Sequence, residues 1–198
     1  MESSSALREQ QATRLHAIAR RHPMLARSLE RWAAIDLPDC WLVAGAVAQS
    51  VWNDAFCLPP DHGISDLDLV YFDATDLSEE AERRQSTRVR QLLSDLPVWI
   101  DVKNEARVHC WYEARFGRAV EPYTSTADAI ATFPTTATAI GLQPISNETF
   151  APHGLSDLFD LIVRPNKKQI TRPVYDAKVA RWLGLWPELQ IIPWDEEP

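Results

Sequence analysis

Three aspartates stand where they could share a metal ion. Asp66 and Asp68 open the most strand-like segment of the sequence, residues 67–72, and side chains two apart on a strand point to the same face. Asp101 lies between two apolar residues in the next strand-like segment, where a lone buried carboxylate is costly unless it is paired or metal-bound. If the two strands are neighbours, the three carboxylates converge on one spot.

Convergence of three carboxylates would raise at least one pKa in the absence of a counter-ion. Three negative charges match two divalent cations about 3.5–4 Å apart, which leaves positive charge for a triphosphate to neutralise. The sequence therefore predicts a site for Mg²⁺, or for Mn²⁺ in its place, with Asp66, Asp68 and Asp101 as ligands. The alternative for the Asp-x-Asp pair is a solvated strand end.

A glycine turn precedes this constellation. Residues 41–44 are typical of a short buried strand, Gly45 ends it, and residues 46–55 have helical spacing. Free backbone N–H groups at a helix start form an anion site, and glycine permits close approach. A simple chain reversal is the alternative, but the order Gly45, Asp66–Asp68, Asp101 favours a phosphate-binding turn beside a metal site.

The elements around these residues alternate between strand and helix. We predict an α/β (α+β) fold with a mixed sheet flanked by helices, in one domain covering residues 1–198. Its parts are two N-terminal helices (1–35), a catalytic core (40–115) and a Pro-rich, mainly helical C-terminal extension (116–198). Further predicted elements are a helix after a capping box at Asp76 and Glu79, strands at 98–102 and 107–112, and helices at 126–133, 155–161 and 174–185.

Charge and hydropathy restrict the partners. The chain carries 20 basic and 28 acidic residues, a net charge of −8, and shows no basic stripe, so long duplex nucleic acid is not expected as a ligand. No apolar run is long enough for a membrane span, and the first residues do not resemble a secretory signal. We expect a cytoplasmic protein with reduced thiols. Buried small side chains are expected at Cys40, Cys57 and Cys110.

Three stretches carry a family resemblance: residues 44–53 (AGAVAQSVWN), 65–73 (SDLDLVYFD) and 100–109 (IDVKNEARVH). They resemble a bacterial nucleotidyltransferase-like family of uncharacterised proteins within the polymerase-beta-type nucleotidyltransferase superfamily. Residues 154–159 (GLSDLF) and 163–166 (VRPN) resemble the C-terminal signature of that family. The resemblance covers roughly residues 30 to 194.

The resemblance implies a nucleotidyltransferase fold and a Mg²⁺-dependent reaction. Asp66 and Asp68 would hold the metal, and Asp101 would be the third carboxylate, beside the attacking hydroxyl. The reaction would transfer a nucleoside monophosphate from an NTP to a hydroxyl and release pyrophosphate. The acceptor would be a small molecule, a protein side chain or an RNA end.

Two positions depart from the superfamily pattern. Ala46 stands where serine is common after the glycine, and Gln49 where arginine is frequent. Nucleotide binding would then use Gly45, Ala46 and Gln49 together with cations that follow Asp101. Lys103 and Arg107 are the nearest candidates, although a surface salt bridge explains Arg107 equally well. Arg164, Asn166 and Lys178 could reach a nucleotide from the C-terminal part, but capping and surface pairing also explain them.

Two other functions compete with catalysis of nucleotidyl transfer. Ala46 and Gln49 suit a non-catalytic nucleotide-binding or regulatory module of the same fold. A glycosyltransferase could use the Asp-x-Asp pair to hold Mn²⁺ and a sugar nucleotide. Such enzymes generally carry a larger nucleotide-binding domain before that motif, whereas only 65 residues precede Asp66 here.

Overall fold

A five-stranded sheet forms the centre of the fold in a computed structural model that describes residues 2–196, with side chains from residue 5. Its strands lie in the order β3-β2-β1-β4-β5. The strands are β1 (Trp41–Val43), β2 (Asp66–Tyr71), β3 (Trp99–Asn104), β4 (Gly141–Gln143) and β5 (Glu148–Phe150). The β2–β3 pair is parallel and the other pairs are antiparallel, so the predicted mixed sheet is confirmed.

Helices cover the sheet and extend the chain at both ends. They are α1 (Glu2–Arg21), α2 (Pro23–Glu30), α3 (Trp32–Ile35), α4 (Ala44–Ala55), α5 (Glu79–Leu92), α6 (Val108–Phe116), α7 (Thr126–Ile130), α8 (Ser156–Phe159) and α9 (Arg172–Leu183). Two short parallel strands, β6 (Ile162–Val163) and β7 (Gln190–Ile191), form a second sheet.

The main core lies on one face of the sheet. Leu67 and Leu69 of β2 are fully buried there with Val51 of α4 and Val89 of α5. The alternation of β2 leaves Asp66, Asp68 and Val70 on the other face. That second face is apolar only where Val70 meets a small cluster that includes Ile130 of α7, so its remaining area is open to polar side chains.

The helix after β2 begins at Glu79, and its N-cap is Ser78 instead of Asp76, the first residue of the predicted capping box. The Ser78 hydroxyl accepts a hydrogen bond from the N–H of Ala81 at 3.2 Å. The Asp76 carboxylate accepts from the N–H of Ser78 at 2.9 Å and shapes the preceding turn. Three glutamates in the first turn of α5 complement the positive end of the helix.

The predicted strand at residues 107–112 is wrong. After β3 the chain forms a 3-10 turn, Glu105–Arg107, and then α6. The Asn104 side chain turns the chain, because its oxygen accepts a hydrogen bond from the N–H of Ala106 at 3.2 Å. Burial of Val108 and Tyr112 on one helical face overrides the high strand propensity of these residues.

The C-terminal extension supplies strands as well as helices. The helices predicted at 126–133, 155–161 and 174–185 are present in shorter or shifted form as α7, α8 and α9. The β4–β5 hairpin was not predicted, and β4 pairs with β1 through Leu42–Leu142 and Val43–Gly141. Residues after 116 therefore complete the sheet that residues 40–115 begin.

The cysteines and one tryptophan differ in their exposure to solvent. Cys40 is buried as predicted, but Cys57 and Cys110 are exposed, because they follow α4 and lie on the outer side of α6. Trp99 of β3 is 57% exposed, with the Arg90 guanidinium 4.1 Å from its ring centroid. No helix in the described part of the chain is long and apolar enough to cross a bilayer.

A buried tryptophan fixes the loop between α4 and β2. The Trp186 indole is fully buried and donates a hydrogen bond to the side-chain oxygen of Asn53 at 2.8 Å. The Asn53 amide in turn donates to the carbonyls of Pro60 and His62, both at 2.9 Å. The loop that leads into the Asp-x-Asp strand is therefore held against the C-terminal part of the chain.

Candidate active site

The register of β2 and β3 brings the predicted aspartates to one face. Asp68 lies directly opposite Asp101 in the parallel pair, and Asp66 lies opposite Trp99. Because side chains alternate along both strands, Asp66, Asp68 and Asp101 point to the same side of the sheet. We call these three residues the acidic row.

The surroundings of Asp68 disfavour the charged form of its carboxyl group. Burial, followed by the neighbouring charges of Asp66 and Asp101, raises the pKa of the Asp68 carboxyl to about 7. The Lys178 ammonium and the backbone N–H of Gly45 oppose that rise in pKa. A bound cation would relieve the same repulsion, because it favours the charged carboxylate.

Cations and hydroxyls already contact the row. Asp101 Oδ1 lies 3.4 Å from Lys103 Nζ and 3.7 Å from the Arg90 guanidinium, and Asp66 accepts a hydrogen bond from the Ser65 hydroxyl at 2.7 Å. Across residues 2–196, no three His, Cys, Asp or Glu side chains stand close enough together to hold a metal ion. Simultaneous binding of one cation by the whole row would require Asp101 to leave its partners.

The donor chemistry of the row fits Mg²⁺ or Mn²⁺. Both are hard cations that prefer carboxylate oxygens and retain water ligands. The Asp68 carboxylate is crowded by two like charges and partly buried, so a divalent cation there replaces repulsion with attraction. The residues present are therefore compatible with the metal that the sequence predicts.

The turn from β1 into α4 faces the row. Ala44 has a φ of 56°, a left-handed conformation that costs a non-glycine residue roughly 1–2 kcal/mol. A side chain at Gly45 would place its Cβ 3.7 Å from Asp68 Oδ2, so the missing side chain leaves room in front of that carboxylate. The start of α4 has no side-chain cap. The Ala44 N–H donates to the Ile140 carbonyl at 3.1 Å. The Gly45 N–H acts on the Asp68 carboxyl, which leaves the Ala46 N–H for an anion.

The two unusual residues of this turn are buried. Ala46 is 1% exposed and Gln49 is 5% exposed. Ala46 can therefore offer a ligand only its backbone N–H. The Gln49 amide nitrogen lies 3.5 Å from the position that a Gly45 Cβ would take, and Asp68 Oδ2 lies 3.7 Å from the same position, so both side chains border the space beside Gly45.

The candidate cations separate into two groups. Lys103 contacts the row through Asp101, and Lys178 of α9 acts electrostatically on Asp66 and Asp68. Arg107 is instead buried, with its guanidinium 2.8 Å from Glu82 Oε1 and its Nε donating to the Leu77 carbonyl at 2.8 Å. The structure therefore does not bring Arg107 to the row.

The other C-terminal candidates serve the fold. Arg164 pairs with Asp157 at 3.1 Å. The Asn166 amide donates to the carbonyls of Ala131 and Phe133, both at 2.9 Å. Lys178 is thus the C-terminal residue whose charge reaches the row, and its position on the face of α9 turned toward β2 could not be read from the sequence.

An aromatic cavity opens beside the row. Its volume is about 320 Å³, and Lys103 and Lys178 line it on the side of the carboxylates. Its walls come from α6, the segments before and after α7, and residues 169–178, which lead into α9. The aromatic residues of the lining are Trp111, Tyr112, Phe116, Tyr123 and Phe133.

Comparison with known proteins agrees with this geometry. The family model described as "Nucleotidyltransferase" matches residues 30–191. The chain belongs to this nucleotidyltransferase family. A solved NMR structure described as revealing a CCA-adding enzyme head domain is similar to this nucleotidyltransferase, with a TM-score of 0.72 and 26% identity over 90% of this chain and 94% of that one. No curated protein shows significant sequence similarity to it.

The family resemblance and the fold class are therefore confirmed. The nucleotidyltransferase fold explains why a glycine turn, an Asp-x-Asp strand and a third aspartate occur in this order along the chain. It also favours nucleotidyl transfer over the glycosyltransferase alternative. The roles of individual residues at the site stay predictions.

Stability is expected to fall as pH rises through the titration of Glu105. Burial, with Glu82, Asp68 and Asp101 as neighbouring negative charges and Lys103 opposing them, raises the pKa of this carboxyl to about 8. The unfolded chain ionises near pH 4.3, so between the two values the folded state binds the extra proton. The free energy of unfolding then decreases by up to about 1.4 kcal/mol per pH unit.

Urea unfolding of the wild type and of Glu105→Gln at pH 5, 6, 7 and 8 checks this prediction. The variant should lose part of the slope, with the remainder coming from Asp68. The exposed Glu113 on α6 provides the matched control, Glu113→Gln, which should keep the slope of the wild type. Equal slopes in the wild type and Glu105→Gln would contradict the assignment.

Proposed function

We propose that the protein is a Mg²⁺-dependent nucleotidyltransferase that moves a nucleoside monophosphate from an NTP to a hydroxyl acceptor and releases pyrophosphate. The observation that carries the proposal is the pairing of Asp68 with Asp101 in the parallel β2–β3 register, on the same face as Asp66 and next to the Gly45 turn. The family match supports it.

The chain's own residues would supply positioning and charge. The Ala46 N–H in the first turn of α4 would receive a phosphate oxygen in the space that Gly45 leaves open. Lys103 and Lys178 would add positive charge from the other side of the row. Positioning and neutralisation are the main requirements of phosphoryl transfer.

Asp101 would serve the acceptor. As the acceptor oxygen bonds to the α-phosphorus, the bond from that phosphorus to the bridging oxygen breaks, and the electron pair leaves with pyrophosphate. The hydroxyl proton would pass to the Asp101 carboxylate, which must first release Lys103 and Arg90. Asp66, Asp68 and Asp101 would hold the metal, which when bound stabilises charge on the entering and departing oxygens.

The acceptor is proposed by class. A small-molecule hydroxyl, a protein side chain and an RNA end remain the three candidates. The likeness to a structure described as a CCA-adding enzyme head domain supports testing an RNA end first. The net charge of −8 argues against long duplex nucleic acid.

A non-catalytic nucleotide-binding module is the second candidate. Ala46 lacks the hydroxyl that a serine would offer to the triphosphate, and Gln49 is a neutral, buried amide. Asp101 is also engaged by Lys103 and Arg90 rather than gathered with the other two carboxylates. These features suit a site that binds a nucleotide without turning it over.

Pyrophosphate release and calorimetry separate the two candidates. The protein is mixed with each NTP, Mg²⁺ or Mn²⁺, and an acceptor of each class, and pyrophosphate is measured beside metal-dependent NTP binding. Release that depends on both metal and acceptor supports the transferase. Binding without release supports the module, and absence of NTP binding contradicts both.

Gly45→Ala is expected to weaken NTP binding about 10-fold without destabilising the fold. The added Cβ would meet Gln49 Nε2 at 3.5 Å and Asp68 Oδ2 at 3.7 Å, which are ordinary contact distances, and alanine is the better helix former. The methyl group would occupy the space through which phosphate approaches the Ala46 N–H.

Calorimetric NTP titration with Mg²⁺ and thermal unfolding test the Gly45 prediction together. Gly184→Ala is the matched control, because Gly184 lies at the end of α9 with a helical φ of −67°. A Cβ added there would meet the carbonyl oxygens of Arg181 and Ala180 at 3.4 Å and 3.8 Å, far from the turn. Unchanged NTP affinity in Gly45→Ala would remove the turn from the binding site.

A further inference from the structure

Glu105 is a buried carboxyl group for which the fold provides no partner. The residue is 7% exposed and lines the aromatic cavity beside the acidic row. Within the part of the chain that the structure describes, no hydrogen bond or ion pair satisfies its carboxyl, and the groups that act on it do so only through burial and charge. Its oxygens are not among the fully enclosed polar atoms that lack a partner, so they stay accessible from the cavity, where a ligand can hydrogen-bond them.

The cavity around Glu105 suits a flat aromatic ring. Tyr112 and Phe116 of α6 lie with ring centroids 4.6 Å apart, and Trp111 follows the same wall. Ile170 and Val174 face them from the segment before α9 and from α9 itself. The volume of about 320 Å³ lies at the lower end of the range for small-molecule sites, about 300–1,000 Å³.

The opposite wall is rigid and offers a second polar group. The Tyr123 hydroxyl donates to Gln169 Oε1 at 2.6 Å and contacts the Thr132 hydroxyl at 2.7 Å. Tyr112 is tied to the same segment, because its hydroxyl donates to the Gln169 carbonyl at 3.2 Å. With its oxygen engaged, the Gln169 amide can still donate through nitrogen.

We propose that this cavity is the nucleobase subsite of the nucleotidyltransferase and that Glu105 hydrogen-bonds the edge of the base. The inference rests on the proposed function. Lys103 and Lys178 line the cavity and also act on the acidic row. The same two ammonium groups can therefore bridge from a ring in the cavity to phosphates at the carboxylates.

The geometry assigns the cavity to the base rather than to the acceptor. The β- and γ-phosphates of a bound NTP would extend toward Gly45 and α4, on the β1 side of Asp68. The acceptor would enter opposite them, at Asp101 on the edge strand β3. The cavity lies in a third direction, along β3 past Lys103 toward Glu105, where the ribose and base would project.

The chemistry of Glu105 predicts how the base is held. A neutral carboxyl group donates through O–H and accepts through its carbonyl oxygen. Each of the four bases carries a donor next to an acceptor on its pairing edge, and a carboxyl group can present its own donor and acceptor in either order. Glu105 is therefore expected to bind the edge of the base without selecting one base, and all four NTPs should gain affinity from it.

Calorimetry with nucleotides and inorganic tripolyphosphate tests the subsite directly. Each of the four NTPs, as a non-hydrolysable analogue, and tripolyphosphate are titrated with Mg²⁺ into the wild type. Each NTP should bind at least about 10-fold more tightly than tripolyphosphate, because the base stacks in the cavity. Equal affinities for the NTPs and tripolyphosphate would overturn the subsite and leave the proposed function intact. If none of these ligands binds, both proposals are overturned.

Variants identify the residues that read the base. Trp111→Leu and Glu105→Leu should reduce the advantage of the NTPs over tripolyphosphate by about 10-fold and leave tripolyphosphate affinity unchanged. Glu105→Gln keeps one donor and one acceptor, so it should retain that advantage and serves if Glu105→Leu fails to fold. Trp194→Leu and Glu113→Gln, both outside the cavity, are the matched controls.

The ratio of NTP to tripolyphosphate affinity separates base recognition from structural support. A purely structural role of Glu105 would weaken NTPs and tripolyphosphate together and leave that ratio unchanged. A role in base recognition would bring the ratio toward one in Glu105→Leu and preserve it in Glu105→Gln. An unchanged ratio in a folded Glu105→Leu variant would overturn the assignment.

Discussion

Asp68→Asn is expected to reduce metal- and NTP-dependent pyrophosphate release by at least about 1,000-fold while the protein stays folded. Asparagine keeps the size of the side chain but removes the charge at the centre of the acidic row. Burial and repulsion by Asp66 and Asp101 already disfavour that charge, so its loss should not destabilise the metal-free protein. Loss of function without loss of stability is the signature of a functional carboxylate.

Thermal unfolding with and without Mg²⁺ supplies a second readout for the Asp68 prediction. Mg²⁺ should raise the Tm of the wild type and leave Asp68→Asn unchanged, because ligand binding to the folded state alone is stabilising. Asp73→Asn is the matched control, since Asp73 follows β2 and accepts from the N–H of Thr75 at 2.8 Å. Full pyrophosphate release by Asp68→Asn would refute the metal assignment.

Gly63→Ala is expected to lower the free energy of unfolding by about 3 kcal/mol. Gly63 has a φ of +70°, and an added Cβ would lie 2.5 Å from Trp186 Cη2 and 2.8 Å from its Cζ2. The indole is fully buried and hydrogen-bonded to Asn53, so it cannot move aside without breaking the contacts that hold the loop. Urea unfolding followed by fluorescence measures the change.

Gly154→Ala isolates the backbone part of the Gly63 effect. Gly154 has a similar φ of +75°, but nothing lies within 4 Å of a Cβ added there. This control should lose only about 1 kcal/mol, the cost of a left-handed alanine. Equal losses in the two variants would show that Trp186 yields to the added methyl group.

The strands and helices that could be predicted are those with strong local patterns. The apolar run of β2 and the charged, amphipathic α5 are evident from residue types alone. The β4–β5 hairpin escapes prediction because β4 and β5 have three residues each, too few for a periodic signal. The helix α6 resembles a strand in sequence because Val108, Trp111 and Tyr112 favour strands until tertiary contacts decide.

The site residues that could be predicted are likewise those with a local sequence pattern. Asp66, Asp68, Asp101 and Gly45 follow from alternation and from the order of elements, and the structure brings them to one region of the sheet. Burial of Arg107 against Glu82 depends on how α5 packs, which spacing does not reveal. Glu105 shares its alternation with Asp101 and Lys103, so the sequence contained a signal for it, but its burial in the cavity depends on α6 and α9.

The approach of Lys178 to Asp66 and Asp68 links two distant stretches of the chain into one electrostatic unit. A fragment that ends after α6 would keep the whole Gly–Asp–Asp signature but lose this ammonium group and one wall of the cavity. Among related sequences, changes of charge on α9 should therefore evolve together with changes around the β2 aspartates. The signature alone understates how much of the protein selection must preserve.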